Sequence, residues 1–322
     1  MTEQYTYAVA RIRALEVSLF SNATIEQLIA CQDYNHCLQF LAEKGWGDKD
    51  TAMDENAMLT KEEEKIWKTV GELSVPMEKF EVLSYPKLFH NLKAAIKAVY
   101  SGVKNNDVFY NDVSISGDKM LEIVEEKQFY KLPANMQNLA PEIMETLLHT
   151  GDGQMCDVMV DKAALDAIYA AGMQAKEDII RDYAESTVAL ADIKIAVRAQ
   201  KTGKSLEFMK KSMAECKTIN VDRLAKSALS GIDSIKEYLA GTAYAEAVQA
   251  LDESPSAFER WCDNRIIKTI SPQKYKAFTL GPVIAYVIAR QNEIKTVRII
   301  LSGKLNNMPE SSIRERVRDM YV

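Results

Sequence analysis

Three stretches of the sequence repeat one pattern at a nearly constant spacing, and this repetition constrains the fold more than any other feature. Residues 192–204 align without a gap with residues 292–304, sharing a Val-Arg pair and a Gly-Lys pair, with Thr in place of Ser before the glycine. Residues 91–102 match the middle copy again through one lysine, two alanines and the closing glycine. Three copies spaced by 100 and 101 residues indicate a triplicated unit.

Each copy has the features of a helix that is about to end. Its apolar stripe carries lysine or arginine, which suit the negative end of the helix dipole, and its glycine suits the left-handed residue after the last turn. The pattern therefore predicts helices that end at Gly102, Gly203 and Gly303. Three unrelated helices with common endings are the alternative explanation.

The composition and the spacing of apolar residues predict an all-α fold. The chain of 322 residues is 47% hydrophobic and 27% charged, as expected of a globular protein that folds almost throughout. No stretch alternates apolar and polar residues with the period of a strand, whereas helical spacing recurs along the chain. We expect three similar helical bundles, at residues 1–110, 111–215 and 216–322. Because no proline interrupts residues 162–201, one long helix is predicted there, bent at Gly172.

The sequence holds no recognisable catalytic or cofactor-binding motif. The tripeptide Gly203-Lys204-Ser205 invites comparison with a phosphate-binding loop, but that loop needs a further glycine where this chain has Arg198. The three histidines and five scattered cysteines lack the spacing of a metal site or a disulfide framework. We therefore expect no catalytic residues, no cofactor, no metal and no small-molecule substrate.

Charge and hydropathy restrict the partners. A net charge of -6 argues against a nucleic-acid surface, which needs a basic face. The longest apolar run, residues 280–289, is about half the length that a bilayer requires, so no membrane span is expected. Binding to other proteins is favoured over catalysis; a helical-repeat adaptor is an open alternative, and an all-α enzyme is a more distant one.

Cations are concentrated in the last part of the chain. They are Arg290, Lys295, Arg298, Arg314, Arg316 and Arg318. Ion pairing within the protein is one interpretation of this cluster, and a docking surface for an acidic partner is the other. Acidic runs such as Glu62-Glu63-Glu64 are expected on solvated helix faces.

Two stretches of the sequence, one near each end, resemble a known family. The sequence RQNEIKTVRIILSGK at 290–304, together with YAVARIR at 7–13, resembles the C subunits of the bacterial and archaeal V/A-type ATPases, which are similar to the d subunits of eukaryotic V-ATPases. The resemblance runs from end to end, although Thr296 departs from the usual Arg- or Asn-rich last helix of that family.

This resemblance implies a non-catalytic rotor subunit of the central stalk. It would consist of three bundles arranged as a pseudo-threefold funnel that rests on the membrane ring of proteolipid subunits. The funnel would receive the central-shaft subunits, of D and F type, and transmit torque for ATP-driven ion transport or ATP synthesis. The implied location is peripheral, on the cytoplasmic face of the membrane. Proton and sodium transport both stay open, because the ion-binding carboxylate belongs to the ring.

The implied funnel also suggests where the shaft binds. If the three bundles are related by a threefold axis, equivalent helix ends lie on one rim. We then expect exposed lysines at the rim, with two arginines on the inner helices, to meet acidic groups of the shaft. The candidate interface residues are Arg13, Lys104, Lys204, Arg298 and Lys304.

Overall fold

The part of the chain that the structure describes, residues 5–322 of a computed structural model, consists of helices and loops and contains no strand. The predicted all-α fold is therefore confirmed. In chain order the α-helices are α1 (Thr6–Glu16), α2 (Asn22–Ile29), α3 (Tyr34–Glu43), α4 (Glu55–Glu72), α5 (Glu81–Ser101), α6 (Gly117–Glu125), α7 (Ala134–Gln137), α8 (Leu139–Thr150), α9 (Gly153–Gln174), α10 (Asp178–Thr202), α11 (Leu206–Ser212), α12 (Val221–Ser230), α13 (Ile232–Ala240), α14 (Ala247–Glu253), α15 (Pro255–Ile270), α16 (Gly281–Leu305) and α17 (Glu310–Arg316). Short 3₁₀ helices lie at Met77–Phe80, Asn106–Val108, Phe129–Lys131 and Ser271–Tyr275.

These helices form two compact units. The first contains the residues up to Glu78, the short segment Glu177–Ile179 and the C-terminal part from Glu246 to Val322. The second contains Lys79–Lys176 and Ile180–Ala245. The boundaries predicted near residues 110 and 215 divide the chain into three similar bundles. The two units are instead defined by how densely their residues contact one another, so they do not test these boundaries, which stay a prediction.

The first unit is built around α16. Every residue from Gly281 to Arg290 is buried, so this half of the helix is apolar around its whole circumference and must be enclosed by other helices. Helices α1, α2, α3, α4, α15 and α17 all pack against α16. The N-terminal and C-terminal parts of the chain are thus joined in one hydrophobic core.

The second unit has its core between α5, α6, α8 and α9. Its centre is formed by fully buried aliphatic side chains, among them Leu92, Ile96, Met120, Ile143 and Val160. They come from four helices whose sequences carry an apolar face at helical spacing.

Two of the three predicted helix ends are confirmed. Gly102 and Gly203 follow the last residues of α5 and α10 with φ angles of 70° and 64°, in the left-handed conformation that glycine adopts without strain. The prediction for Gly303 is wrong, because α16 continues to Leu305. The glycine instead allows α17 to approach closely, since a Cβ atom at position 303 would lie 2.7 Å from Cγ1 of Ile313.

The predicted single helix over residues 162–201 is also wrong. The chain leaves the helical path after Gln174, and α10 starts only at Asp178. Gly172 marks a contact between α9 and α10 rather than a bend, because a Cβ atom there would lie 2.3 Å from Cβ of Ala184.

The space around two glycines predicts opposite effects on stability when each is replaced by alanine. Gly172→Ala forces α9 and α10 apart and should lower the free energy of unfolding by about 1–3 kcal/mol, the usual cost of overpacking. Gly71→Ala, at an exposed site within α4 where an added Cβ meets no atom within 4 Å, should raise it by roughly 0.5–1 kcal/mol. Urea unfolding followed by circular dichroism measures both. A Gly172→Ala variant as stable as the parent would contradict the close contact.

Candidate partner-binding site

The six C-terminal cations divide into paired and unpaired groups. Four pair with carboxylates of the same chain: Arg290 with Glu62 and Glu293, Lys295 with Asp263 (2.7 Å), Arg314 with Glu26 (3.0 Å) and Glu310 (2.9 Å), and Arg318 with Asp263 (2.7 Å). Arg298 and Arg316 are exposed, and no carboxylate of residues 5–322 forms an ion pair with either. Ion pairing within the chain therefore accounts for four of the cations, whereas the other two are candidates for a docking surface.

Arg290 is the most buried of these cations that has two acidic partners. Its Nη2 atom donates to Oε2 of Glu62 at 2.5 Å, and its Nη1 atom donates to Oε1 of Glu293. The guanidinium carbon also lies 5.3 Å from the ring centroid of Trp46. A buried guanidinium needs this compensation, because an unpaired charge in the core costs several kcal/mol.

The two carboxylates make further hydrogen bonds that involve the backbone. Oε1 of Glu62 accepts from the N–H of Gly47 (2.8 Å) and from Nζ of Lys65 (2.6 Å). Oε2 of Glu293 accepts from the N–H of Phe20 at 2.8 Å. Burial raises the pKa of Glu293, whereas Arg290 and the Phe20 N–H act in the opposite direction. The expectation that Glu62 lies on a solvated face is wrong, since only 2% of this residue is exposed.

The two unpaired arginines line a cleft in the first unit. It has a volume of about 530 Å³ and lies between the start of α15, the C-terminal half of α16 and α17. Arg298 and Arg316 line it together with Arg318, Ser302 and Glu259. Because two of these guanidinium groups have no carboxylate of their own, the cleft is suited to an acidic side chain or peptide segment.

The structure separates the five residues that the sequence proposed for an interface. Arg298 lies in the cleft between α15, α16 and α17, the basic cleft. Lys104 is exposed and pairs with Glu125 at 2.6 Å, and Lys204 donates to Oε1 of Gln154 at 2.9 Å.

The remaining two residues are engaged inside the first unit. Arg13 donates to the backbone carbonyls of Gln273 (2.6 Å) and Lys276 (2.9 Å) and pairs with Glu16. The prediction of an exposed lysine at position 304 is wrong: only 9% of its side chain is exposed, and its Nζ donates to the carbonyl of Cys31 at 2.6 Å. Lys304 therefore connects α16 to the segment just after α2.

One buried carboxyl group lies apart from these cations, in the second unit. Asp192 of α10 is fully buried, and its Oδ1 accepts from the N–H of Ala214 at 3.0 Å, while Oδ2 has no partner in the described part of the chain. Burial raises the pKa of Asp192 to about 8; the charges of Glu215 and Asp166 act in the same direction, and Lys162 acts against them. The side chain holds the segment after α11 against α10.

Metal-binding clusters and membrane spans are both absent from the part of the chain that the structure describes. Residues 5–322 hold no group of three histidine, cysteine, aspartate or glutamate side chains arranged to bind a metal ion. None of the helices formed by these residues has both the length and the apolar character of a membrane span.

Comparison with known proteins identifies similar chains along nearly the whole length. The model of the ATP synthase (C/AC39) subunit family matches residues 8–316. The C subunit of the A-type ATP synthase of Methanocaldococcus jannaschii is 24% identical, over 96% of this chain and 85% of the relative. The C subunit of the V-type sodium ATPase of Enterococcus hirae is 23% identical, over 96% of this chain and 97% of the relative.

The environment of Asp192 predicts a dependence of stability on pH. The folded chain keeps this carboxyl protonated up to about pH 8, whereas the unfolded chain releases the proton near the ordinary value of 3.8. Between these values the folded state binds more protons, so its stability falls as the pH rises, by about 1.4 kcal/mol per unit at most. Asp192→Asn retains an acceptor for Ala214 but cannot ionise.

The Asp192→Asn variant should therefore gain stability relative to the parent as the pH rises. In urea unfolding, the stability of the variant relative to the parent should rise by roughly 3 kcal/mol between pH 5 and pH 8. Asp233→Asn, at a residue whose side chain is 94% exposed, serves as the control and should follow the parent at both pH values. An equal difference at both pH values for Asp192→Asn would contradict the assignment.

Proposed function

The chain belongs to the ATP synthase (C/AC39) subunit family, and from this membership we propose that it is the non-catalytic rotor subunit of a V/A-type rotary ATPase. In this role it links the central-shaft subunits, of D and F type, to the membrane ring of proteolipid subunits. It lies on the cytoplasmic face of the membrane and transmits torque during ion transport or ATP synthesis. The match over residues 8–316 carries this proposal, because it covers almost the whole chain.

The two ends of α16 support a linking role. The basic cleft lies beside the C-terminal half of this helix, at Arg298 and Ser302, and an exposed loop precedes its start at Gly281. At 1.5 Å per residue, roughly 30 Å of helix separate Gly281 from Ser302. A protein that joins two partners needs separate binding surfaces of this kind.

Rigidity in the first unit supports transmission of torque. A torque-bearing element must resist twisting, and packing at the density of a protein interior gives it low compressibility. Six helices pack against α16 along its length, and Arg290 connects it to α4 through Glu62. A load applied at one end of α16 would thus be shared by the whole core.

The triplicated sequence supports the funnel as the arrangement of the chain. We propose that residues 1–110, 111–215 and 216–322 are three similar bundles around a pseudo-threefold axis. The helix ends at Gly102 and Gly203 share one left-handed conformation, as copies of one unit would. The matching helix of the third copy extends two residues further because α17 packs on Gly303.

The proposed role is tested by assembling the complex with and without this chain. The catalytic head and shaft should hydrolyse ATP in both cases, because the chain supplies no catalytic group. Transport of ions by the reconstituted ring should depend on the chain and return when it is added. Transport at an undiminished rate without the chain would contradict the rotor role.

We also propose that the basic cleft binds an acidic segment of the central shaft. Arg298 and Arg316 have no carboxylate partner in the described part of the chain, so an incoming acid would not compete with an existing ion pair. Exposed pairs contribute roughly 0.2–1 kcal/mol each, so several must act together. Lys104 and Lys204 are proposed as further weak contacts.

Reversal of the two cleft charges should weaken the shaft complex. The double variant Arg298→Glu/Arg316→Glu should lose roughly tenfold in affinity for the purified shaft at low salt, and less at high salt, because salt screens exposed charges. Titration calorimetry at two salt concentrations measures the change. Lys104→Glu/Lys204→Glu should cause a smaller loss, because both lysines already have partners in the chain.

A charge-matched control distinguishes the cleft from a general effect of charge. Lys268→Glu/Lys236→Glu changes the net charge by the same amount at lysines that are paired with Glu246 and Asp233. This control should bind the shaft nearly as the parent does. The cleft would be rejected as the interface if the cleft variant and the Lys268→Glu/Lys236→Glu control lost equal affinity for the shaft. It would also be rejected if the cleft variant kept both the affinity and the thermal unfolding of the parent.

A further inference from the structure

An exposed loop before α16 presents two aromatic rings and two lysines to solvent. The loop, residues 274–278, begins with the last two residues of the 3₁₀ helix Ser271–Tyr275. It has the sequence Lys-Tyr-Lys-Ala-Phe, and all five residues are exposed. Tyr275 is 90% exposed and Phe278 is 57% exposed. Large apolar rings at this exposure are costly in water unless another surface covers them.

The base of this loop is held firmly although its tip is exposed. Nη2 of Arg13 donates to the carbonyls of Gln273 (2.6 Å) and Lys276 (2.9 Å). On the inner side Gln273 is 6% exposed and packs on Gly281, and Leu280 is 1% exposed. A loop fixed at its base loses little conformational freedom when its tip binds, so the exposed rings are presented ready for contact.

The stretch of sequence that contains the loop carries charge of one sign. The sequence contains no acidic residue between Asp263 and Glu293. The nearby carboxylate of Glu16 is already paired with Arg13 at 2.6 Å. Val17, which is 87% exposed, lies four residues beyond Arg13 along α1 and so on the same side of that helix, where it adds apolar surface.

We propose that this loop binds the headgroup region of a bilayer that contains anionic phospholipids. Tyrosine is stable at the depth of the headgroups, where its ring is in an apolar environment and its hydroxyl is hydrated. Phenylalanine inserts at the boundary of the acyl chains, and lysines beside the two rings meet lipid phosphates. A protein partner would need a matching pocket for each ring, whereas the bilayer interface accepts rings at irregular spacing. The biological setting of this contact rests on the proposed function, which holds the chain at a membrane, whereas the affinity of the loop for anionic lipid is a separate property.

Vesicle binding by the full chain tests this proposal. Vesicles with about 30% phosphatidylglycerol in phosphatidylcholine are compared with pure phosphatidylcholine vesicles at roughly 50 mM salt. We expect co-sedimentation with the anionic vesicles that falls several-fold at high salt. Tyr275→Ser/Phe278→Ser should reduce the bound fraction roughly fivefold, and Lys274→Glu/Lys276→Glu roughly tenfold.

A second exposed aromatic-lysine pair provides the control. Tyr130 is 72% exposed and neighbours Lys131, so Tyr130→Ser/Lys131→Glu removes a similar ring and charge elsewhere. This variant should bind anionic vesicles as the parent does, and all variants should keep the thermal unfolding of the parent. Equal binding to both kinds of vesicle, or loop variants that bind as well as the parent, would overturn the proposal.

Binding to the proteolipid ring separates this inference from the proposed function. Proteolipid rings embedded in nanodiscs of neutral lipid should bind the parent and the loop variants with the same affinity. Loop variants that bind vesicles normally but lose ring binding would overturn the lipid contact and assign the loop to a protein. If the parent binds anionic vesicles but no ring, the rotor role fails and the lipid contact stands.

Discussion

The first unit depends on one buried cation, Arg290, whose charge must be balanced inside the core. The chain provides this balance from distant positions, because Glu62 lies 228 residues away in sequence and Glu293 lies one turn along the same helix. Each carboxylate is in turn fixed by a backbone N–H, from Gly47 and Phe20 respectively. Removal of any member would leave a buried charge or donor unpaired, so an alignment of α4 against α16 that broke the network would be costly.

This network explains why the N-terminal and C-terminal parts of the chain fold together. Ten consecutive buried residues make the start of α16 a helix that cannot exist with any face in water. The helices before Glu78 cover it, and the cation at the end of that apolar run selects the position of α4. Hydrophobic burial provides most of the free energy for this packing, and the ionic network determines which of the possible packings is adopted.

The sequence predicted local features well and contacts between distant segments poorly. The all-α class and the helix ends at Gly102 and Gly203 follow from periodicity and from the conformational preference of glycine, which need only neighbouring residues. Gly172 and Gly303 carry the same residue type, but they serve close approach of another helix, which no local signal distinguishes from a cap. The run of acids at Glu62 predicts a solvated face because it is polar, whereas the partner of Glu62 lies in α16, far away in sequence. A lone arginine at the end of a long apolar run was the one available sign that a buried acid must exist elsewhere.

The candidate site is defined by which cations have a partner within the chain and which do not. Arg290, Arg318 and Lys304 are held by acceptors of their own unit, so their loss acts on the fold. Arg298 and Arg316 are exposed and unpaired within residues 5–322, and the two lysines at 274 and 276 are exposed on a loop whose sequence surroundings lack acids. These charges lie toward opposite ends of α16, so a helix fixed at its middle by buried ion pairs carries its uncompensated charge at both ends. That arrangement would let the proposed contacts at either end change without disturbing the core between them.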